Sequence, residues 1–274
     1  MTKTLIFILS ISFMQCKGRV DEGQVDANIK TFEDKRIKQD SIIKKYVTNC
    51  AEHFNYKYQM DEWQNCLDEG LKKDSTIAYL WQQKAMPYFK ARKYEVGMTY
   101  LDKAVLYDER RWLSYRAFIK CIFAKTYKEA IIDFEKCIKN EGNTYVMDHT
   151  YQFHIALCYL QLNEFEKAET IFKKDIEEQE LEWGEAHYLD LFYYGISKYE
   201  QRKWQEAIAE FDKSLRQYPN FSEVKYYKSI CLLRLNDLDN SKMLYQQSKD
   251  DALNGFSINE DNSVYETYPY QIRW

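Results

Sequence analysis

Two stretches of the chain repeat one another at a fixed step of 34 residues. Gly195, Trp204, Ala207, Phe211 and Ser214 return as Ser229, Leu238, Ser241, Tyr245 and Ser248. Far upstream, Ala51, Leu67 and Leu71 return as Ala85, Leu101 and Val105. A period of this length marks a stack of helical hairpins, in which each unit touches only its neighbours. The clearest unit spans residues 188–221. Its first helix carries Leu191, Tyr194 and Gly195, and Gln201-Arg202-Lys203 turns the chain. The second helix carries Trp204, Ala207, Phe211 and Leu215. Tyr218-Pro219-Asn220 ends it, because proline cannot continue a helix. Small residues at Gly195 and Ala207 let two antiparallel helices approach where they cross, and Trp204 and Phe211 fill the flanks. Neither helix can bury its apolar stripe alone, so the hairpins must stack.

The pattern resembles the tetratricopeptide repeat (TPR) family, whose unit has a W-x2-L-G-x2-Y, A-x3-F, P skeleton. Residues 78–110 match it through Trp81, Ala85, Tyr88, Tyr94, Leu101 and Ala104, with Gly97 in the small alanine slot. Residues 149–182 match through Ala156, Tyr159, Phe165, Ala168 and Phe172, and residues 222–255 through Ser229, Leu238, Ser241 and Tyr245. Residues 111–144 match through Tyr127, Ala130, Phe134 and Cys137. There the first helix reads as one residue closer to the second, with Ala117 in the small slot. Residues 44–77 depart most. Ala51 and Leu67 fit, but Trp63 stands where the family has a small residue. The resemblance implies an all-α fold: a right-handed α-solenoid of about six hairpins over residues 44–255, with an extended aromatic tail at 256–274.

Two irregularities stand out. The step lengthens between Ala130 and Ala168, and again between Ala168 and Ala207. The extra residues fall near 141–147 and 177–185 and read as longer loops or extended helices. Pro87 lies inside a first helix, where it removes a hydrogen bond. It reads either as an outward-facing bend or as a change in groove curvature.

The ends of the chain carry different signals. Lys3 and the apolar run from Leu5 to Met14 form a signal-peptide core, too short to span a bilayer. Cys16 follows at once, and the arrangement resembles a bacterial lipoprotein signal. The resemblance implies cleavage after residue 15, lipid on Cys16, and a membrane-anchored protein of the cell envelope facing the periplasm or the exterior. Phe13 suits the site, whereas Gln15 replaces the usual small residue; secretion with another cut, or an uncleaved apolar start, stay open. Residues 16–43 read as a polar tether over 17–30 and a charged lead-in helix from about Phe32. At the other end, Gly255 reads as a left-handed helix cap. Beyond it, Tyr268, Tyr270, Ile272 and Trp274 alternate with Pro269, Gln271 and Arg273, the pattern of an extended segment lying on an apolar surface. Docking on the chain's own solenoid, presentation to a partner and disorder are its three alternatives.

A net charge of −4 excludes a broad basic footprint for nucleic acid. Setting Cys16 aside, six cysteines fall within expected helices and read as buried small core residues. Counting antiparallel positions brings Cys50 level with Cys66, whereas Cys121 and Cys137 lie too far apart along the hairpin axis. No H-E-x-x-H, C-x-x-C, phosphate loop or nucleophile elbow appears. His149 and His154, five apart, do not share a helix face, and His187 with Asp190 reads as a surface or capping pair. The expectation is a non-enzyme with no cofactor and no metal.

The informative surface is the wall of first helices, which lines the concave face in this family. Its positions are three before, one after and four after each small residue. They read Phe153, Leu157, Leu160; Phe192, Ile196, Tyr199; and Tyr226, Ile230, Leu233. The second repeat gives Gln82, Met86 and Phe89, and the first gives Thr48, Glu52 and Asn55. The wall therefore turns from polar to apolar along the chain. With 24 Tyr, 15 Phe and 6 Trp, the composition suits an aromatic binding groove. The leading expectation is a scaffold gripping a protein or peptide partner there. The alternative is a structural subunit whose groove its own tail covers, and a receptor or enzyme with a site under the tail is a third.

Overall fold

The computed structural model describes residues 22–274. Helices α1 (Glu22–Ile43) and α2 (Met60–Lys73) form an irregular first hairpin. Five pairs follow: α3 (Ala78–Lys90) with α4 (Tyr94–Tyr107), α5 (Glu109–Ile119) with α6 (Tyr127–Glu141), α7 (Tyr151–Gln161) with α8 (Phe165–Trp183), α9 (Tyr188–Glu200) with α10 (Trp204–Gln217), and α11 (Ser222–Arg234) with α12 (Leu238–Leu253). The signal segment and Cys16 lie outside the described residues. Residues 22–30, read as a tether, are helical backbone within α1. Their Glu, Gln, Lys and Ala are good helix formers, but no apolar stripe announces them.

A single backbone mark fixes the register. Arg92, Asn163, Arg202 and Asn236 adopt left-handed φ values of 58°, 61°, 61° and 62°, each seven residues after its small residue. In the third hairpin the mark falls on Lys125, eight residues after Ala117. The third pair is therefore one residue longer between its crossing points, not shorter. A π-helical turn at Lys120–Ala124 absorbs the extra residue. The crossings themselves are tight. A Cβ on Gly195 would sit 2.5 Å from the Phe211 ring, and one on Gly97 would sit 2.5 Å from Phe89.

The two lengthened steps become structure rather than loose loop. The first forms a two-stranded hairpin, β1 (Tyr145–Val146) with β2 (His149–Thr150), pairing Tyr145 with Thr150 and Val146 with His149. Met147 and Asp148 both take positive φ, 48° and 66°, as a two-residue type I′ turn requires. The second extends α8 to 19 residues, and Gly184 then ends it in the left-handed conformation.

The first hairpin resolves two sequence anomalies together. Pro87 is buried inside α3, not outward-facing, and its missing N–H leaves the carbonyl of Gln83 without its helical partner. The indole Nε1–H of Trp63 donates to that carbonyl at 3.3 Å, and Gln64 Nε2 donates to the next one, Lys84 O, at 3.1 Å. The bulky residue in the small slot thus repairs the helix that proline interrupts. Ala51, the counterpart of Ala85, does not lie in an α-helix. The chain passes from a π turn at Lys44–Thr48 into a short 3-10 turn at Ala51–His53. Cys50 and Cys66 form a disulfide with Cα atoms 5.8 Å apart, so these two are not the free core cysteines expected from sequence. Cys121, Cys137, Cys158 and Cys231 are free and buried. Ile42, Val47, Trp63, Leu67 and Leu80 belong to a core cluster of this first unit, while a second cluster runs continuously from Ala78 to the tail.

Candidate functional site

The wall of first helices is largely filled. Phe153, Leu157, Leu160, Phe192, Ile196 and Phe89 are buried; Tyr199, Tyr226 and Ile230 are half-buried; Leu233 is exposed. Two causes act. Neighbouring helices close over some positions: Phe192 packs against the rings of Phe211, Phe221 and Tyr227 at 5.1–6.2 Å between centroids. The C-terminal tail adds to this, with Trp274 packed on Tyr226. Six of the ten predicted groove positions therefore cannot meet a guest directly.

The tail runs out along the wall and returns. It leaves α12 through Gly255, left-handed at φ 86°. Ser257 Oγ donates to Glu223 Oε1 at 2.5 Å, and Ile258 is buried. Glu260 reaches His149. A 3-10 turn at Asp261–Val264 leads to the tip, where Arg92 donates to Tyr265 O at 3.3 Å. Glu266 there accepts from the Tyr94 hydroxyl and from Lys125 Nζ at 3.1 Å. The chain then turns back. Tyr193 Oη donates to Pro269 O at 2.9 Å, Tyr270 Oη donates to Glu200 at 2.7 Å, and Trp274 packs on Tyr226 and Tyr245. The tail is not the simple alternating strand its sequence suggests. Tyr270 takes a left-handed φ of 60°, and Pro269 is buried beside Tyr268 instead of facing away. Sequence reasoning also missed Tyr193 and Tyr227. Both sit two residues before a small residue, off the positions assigned to the groove, yet one holds Pro269 and the other stacks edgewise on Tyr270.

A second site arises where the two lengthened steps meet. A cavity of about 370 Å³ opens between the β1–β2 hairpin and the end of α8, with Tyr145, Asp148 and Trp183 among its walls. Three side chains converge there. His149, buried on β2, holds Asp190 Oδ2 through Nδ1 at 3.2 Å and Glu260 Oε1 through Nε2 at 3.2 Å. Its ring stacks on Phe153, 4.0 Å between centroids. His187 caps α9 by accepting from Leu189 N, and its Nδ1 lies 3.6 Å from the same Asp190 oxygen. Asp190 is buried, and its Oδ1 accepts from Gln179 Nε2 at 2.7 Å.

The electrostatics follow from that burial. Desolvation pushes the His149 imidazole down, but its bonds to Asp190 and Glu260 outweigh it and hold it up at about 10. Desolvation likewise raises Asp190, yet the two histidines hold it well below the usual carboxylate range. Asp175, beside it, is pushed up to about 6 by burial and then by the charge of Asp190, despite hydrogen bonds from Thr150, Asn143 and Gln179. The His187–Asp190 capping pair is as the i,i+3 spacing implies. The approach of His149 was legible only as an irregularity, since it enters on residues that break the 34-residue step. Among the described residues no helix is long and apolar enough to cross a membrane.

Two segments match tetratricopeptide repeat family models: residues 149–179 and residues 191–220. No curated protein matches the chain. Among solved structures, the chain is similar to a tetratricopeptide repeat protein from Parabacteroides merdae, with TM-score 0.62, 13% identity, and 78% of this chain and 79% of that one covered. It is similar to PilW, a widely conserved type IV pilus biogenesis factor, with TM-score 0.60, 13% identity and coverage of 74% and 90%. It is also similar to pilF of Pseudomonas aeruginosa, with TM-score 0.59, 15% identity and coverage of 78% and 93%. The fourth and fifth hairpins are thus tetratricopeptide repeats by their own sequence, and the whole array carries the fold of solved TPR proteins.

Proposed function

We propose that the chain is a non-enzymatic scaffold for a protein or peptide partner. Its apolar wall is closed by its own C-terminal tail, and the partner is met by surfaces the tail leaves open. The observation that carries this reading is the tail itself, which buries Ile258 and Tyr268 and occupies the place a guest would need. A groove already filled favours the self-covered alternative over direct capture by Phe192 or Ile196. Open apolar surface lies elsewhere: Leu181 and Trp183, on the extension of α8, are 89% and 67% exposed. The same proposal places the protein at a bacterial envelope membrane, tethered by lipid on Cys16. The Cys50–Cys66 disulfide suits such an oxidising compartment.

Three measurements test this. Deleting residues 256–274 is expected to raise binding of a hydrophobic dye several-fold; unchanged fluorescence rejects the tail as cover. In cross-linking pull-downs from intact envelopes, Trp183→Ala with Leu181→Ala is expected to cut partner capture while Tyr199→Ala leaves it alone. The reverse result returns the wall to the role of binding groove. Cys16→Ala is expected to move the protein out of the membrane fraction, and continued retention refutes the anchor.

A further inference from the structure

The two departures from the 34-residue step bring His149, His187 and Asp190 to one point, and we propose that these three residues bind a divalent transition-metal ion, of which zinc fits best. Their ligand atoms all lie within 4.8 Å of one another. Asp190 Oδ2 stands 3.2 Å from His149 Nδ1 and 3.6 Å from His187 Nδ1. Bonds of about 2.0–2.2 Å to a tetrahedral zinc ion set neighbouring ligand atoms roughly 3.3–3.5 Å apart. Two of the three edges, at 3.2 and 3.6 Å, lie close to that length. The third closes by a swing of the His187 ring, whose side chain is 46% exposed, with loss of its weak cap on Leu189 N.

The surroundings orient each ligand for the task. Gln179 occupies Oδ1 of Asp190, which leaves Oδ2 for the ion. Glu260 occupies Nε2 of His149, which leaves Nδ1; a carboxylate on the far nitrogen of a ligating histidine is the usual supporting partner. The lone pair on His187 Nδ1 is engaged only by the Leu189 N–H at 3.4 Å. On binding, the proton that His149 Nδ1 shares with Asp190 leaves to solvent, and the Nε2–H stays on Glu260.

Charge and chemistry select the ion. Asp190 and Glu260 both bond one buried imidazole, so a divalent cation in place of one proton balances the site better. Two imidazoles and one carboxylate suit zinc, whereas magnesium and calcium take oxygen donors. The cavity beside the cluster supplies both an entry path and a fourth position. The bound ion would lock the β1–β2 hairpin to the start of α9 and, through Glu260, to the tail.

The test is a calorimetric titration of the full chain, purified in detergent and stripped with chelator, with zinc chloride. The expected result is one ion per chain, with affinity reduced at least tenfold in His187→Ala and about tenfold in Glu260→Gln. His187 is on the exposed side, so its variant keeps the fold, and circular dichroism verifies this. Cobalt(II) is expected to give tetrahedral visible bands in the wild type and none in His187→Ala. Absence of zinc binding by the wild type overturns the proposal, and so does undiminished affinity in His187→Ala.

Discussion

Thr48, Glu52 and Asn55 of the first hairpin stand exposed, while the equivalent Phe153, Leu157, Leu160, Phe192 and Ile196 of the fourth and fifth pairs are sealed. The same positions of one repeating unit thus do opposite things in the first pair and in the fourth and fifth. A polar stretch needs no cover. An apolar one must have it, because a bare stripe of that length would associate with whatever it met. The chain supplies its own cover, and it does so unevenly. The tail grips the C-terminal pairs through Ile258, Tyr268, Tyr270 and Trp274, but touches the second and third pairs at its tip through Arg92, Tyr94 and Lys125.

The strongest way to break this comparison is to truncate one residue in each region. Phe192→Ala is expected to cost about 3–5 kcal/mol, since a fully buried ring leaves a cavity between α9, α10 and α11. Thr48→Ala is expected to stay within about 0.5 kcal/mol. Urea midpoints measure both. A Phe192→Ala protein as stable as Thr48→Ala would mean that the wall is open along its whole length.

A smaller effect probes why the first unit differs. Trp63→Phe keeps the ring but leaves the Gln83 carbonyl unpaired, at an expected cost of about 1–3 kcal/mol. In a Pro87→Ala background the restored backbone N–H can serve that carbonyl, so Trp63→Phe should cost about 1 kcal/mol less. Equal costs in the two backgrounds would show that Trp63 merely fills space.

These cases also show what the sequence could and could not reveal. Hairpins were legible because small residues at Ala85, Gly97, Ala156, Gly195 and Ala207 must recur wherever helices cross, and a crossing is a local matter. Trp63 and Pro87 each broke the pattern visibly, but their partnership joins residues of two different hairpins, and nothing in either segment names the other. A one-residue offset was visible at Ala117, but spacing alone did not show that it is an added residue accommodated by the π turn at Lys120–Ala124. The His149–Asp190 contact hid more deeply. It depends on a β hairpin and an overlong α8 folding toward each other, and the step length shows only where residues were added. The tail's rings marked it as a docking segment, whereas its reversal at Tyr270 rests on one left-handed residue.

The finest test separates the tip of the tail from its root by pH. At the tip, burial raises the Glu266 carboxyl, but the Tyr94 hydroxyl, Lys125 and the Thr267 N–H hold it below the usual range. A depressed folded value means its contribution is fully present above the unfolded pKa of about 4.3 and is lost as pH falls through the folded one. At the root, burial raises Glu223 despite bonds from Ser257 Oγ and the Ile272 N–H. A raised folded value works the other way: its carboxyl favours the folded state at low pH and opposes it once ionised. With the intrinsic pH dependence of exchange divided out, acidification from pH 7 toward 4.5 should therefore raise amide protection at 270–272, and only further acidification below about 4.3 should lower it at 265–267. The Glu266 part is under about 1 kcal/mol, since Lys125 is half exposed and well screened. Glu266→Gln should abolish the response at the tip and leave that at the root. A common response at both places would mean that the tail lifts and settles as one piece, and the contrast between polar tip and aromatic root would then carry no mechanical meaning.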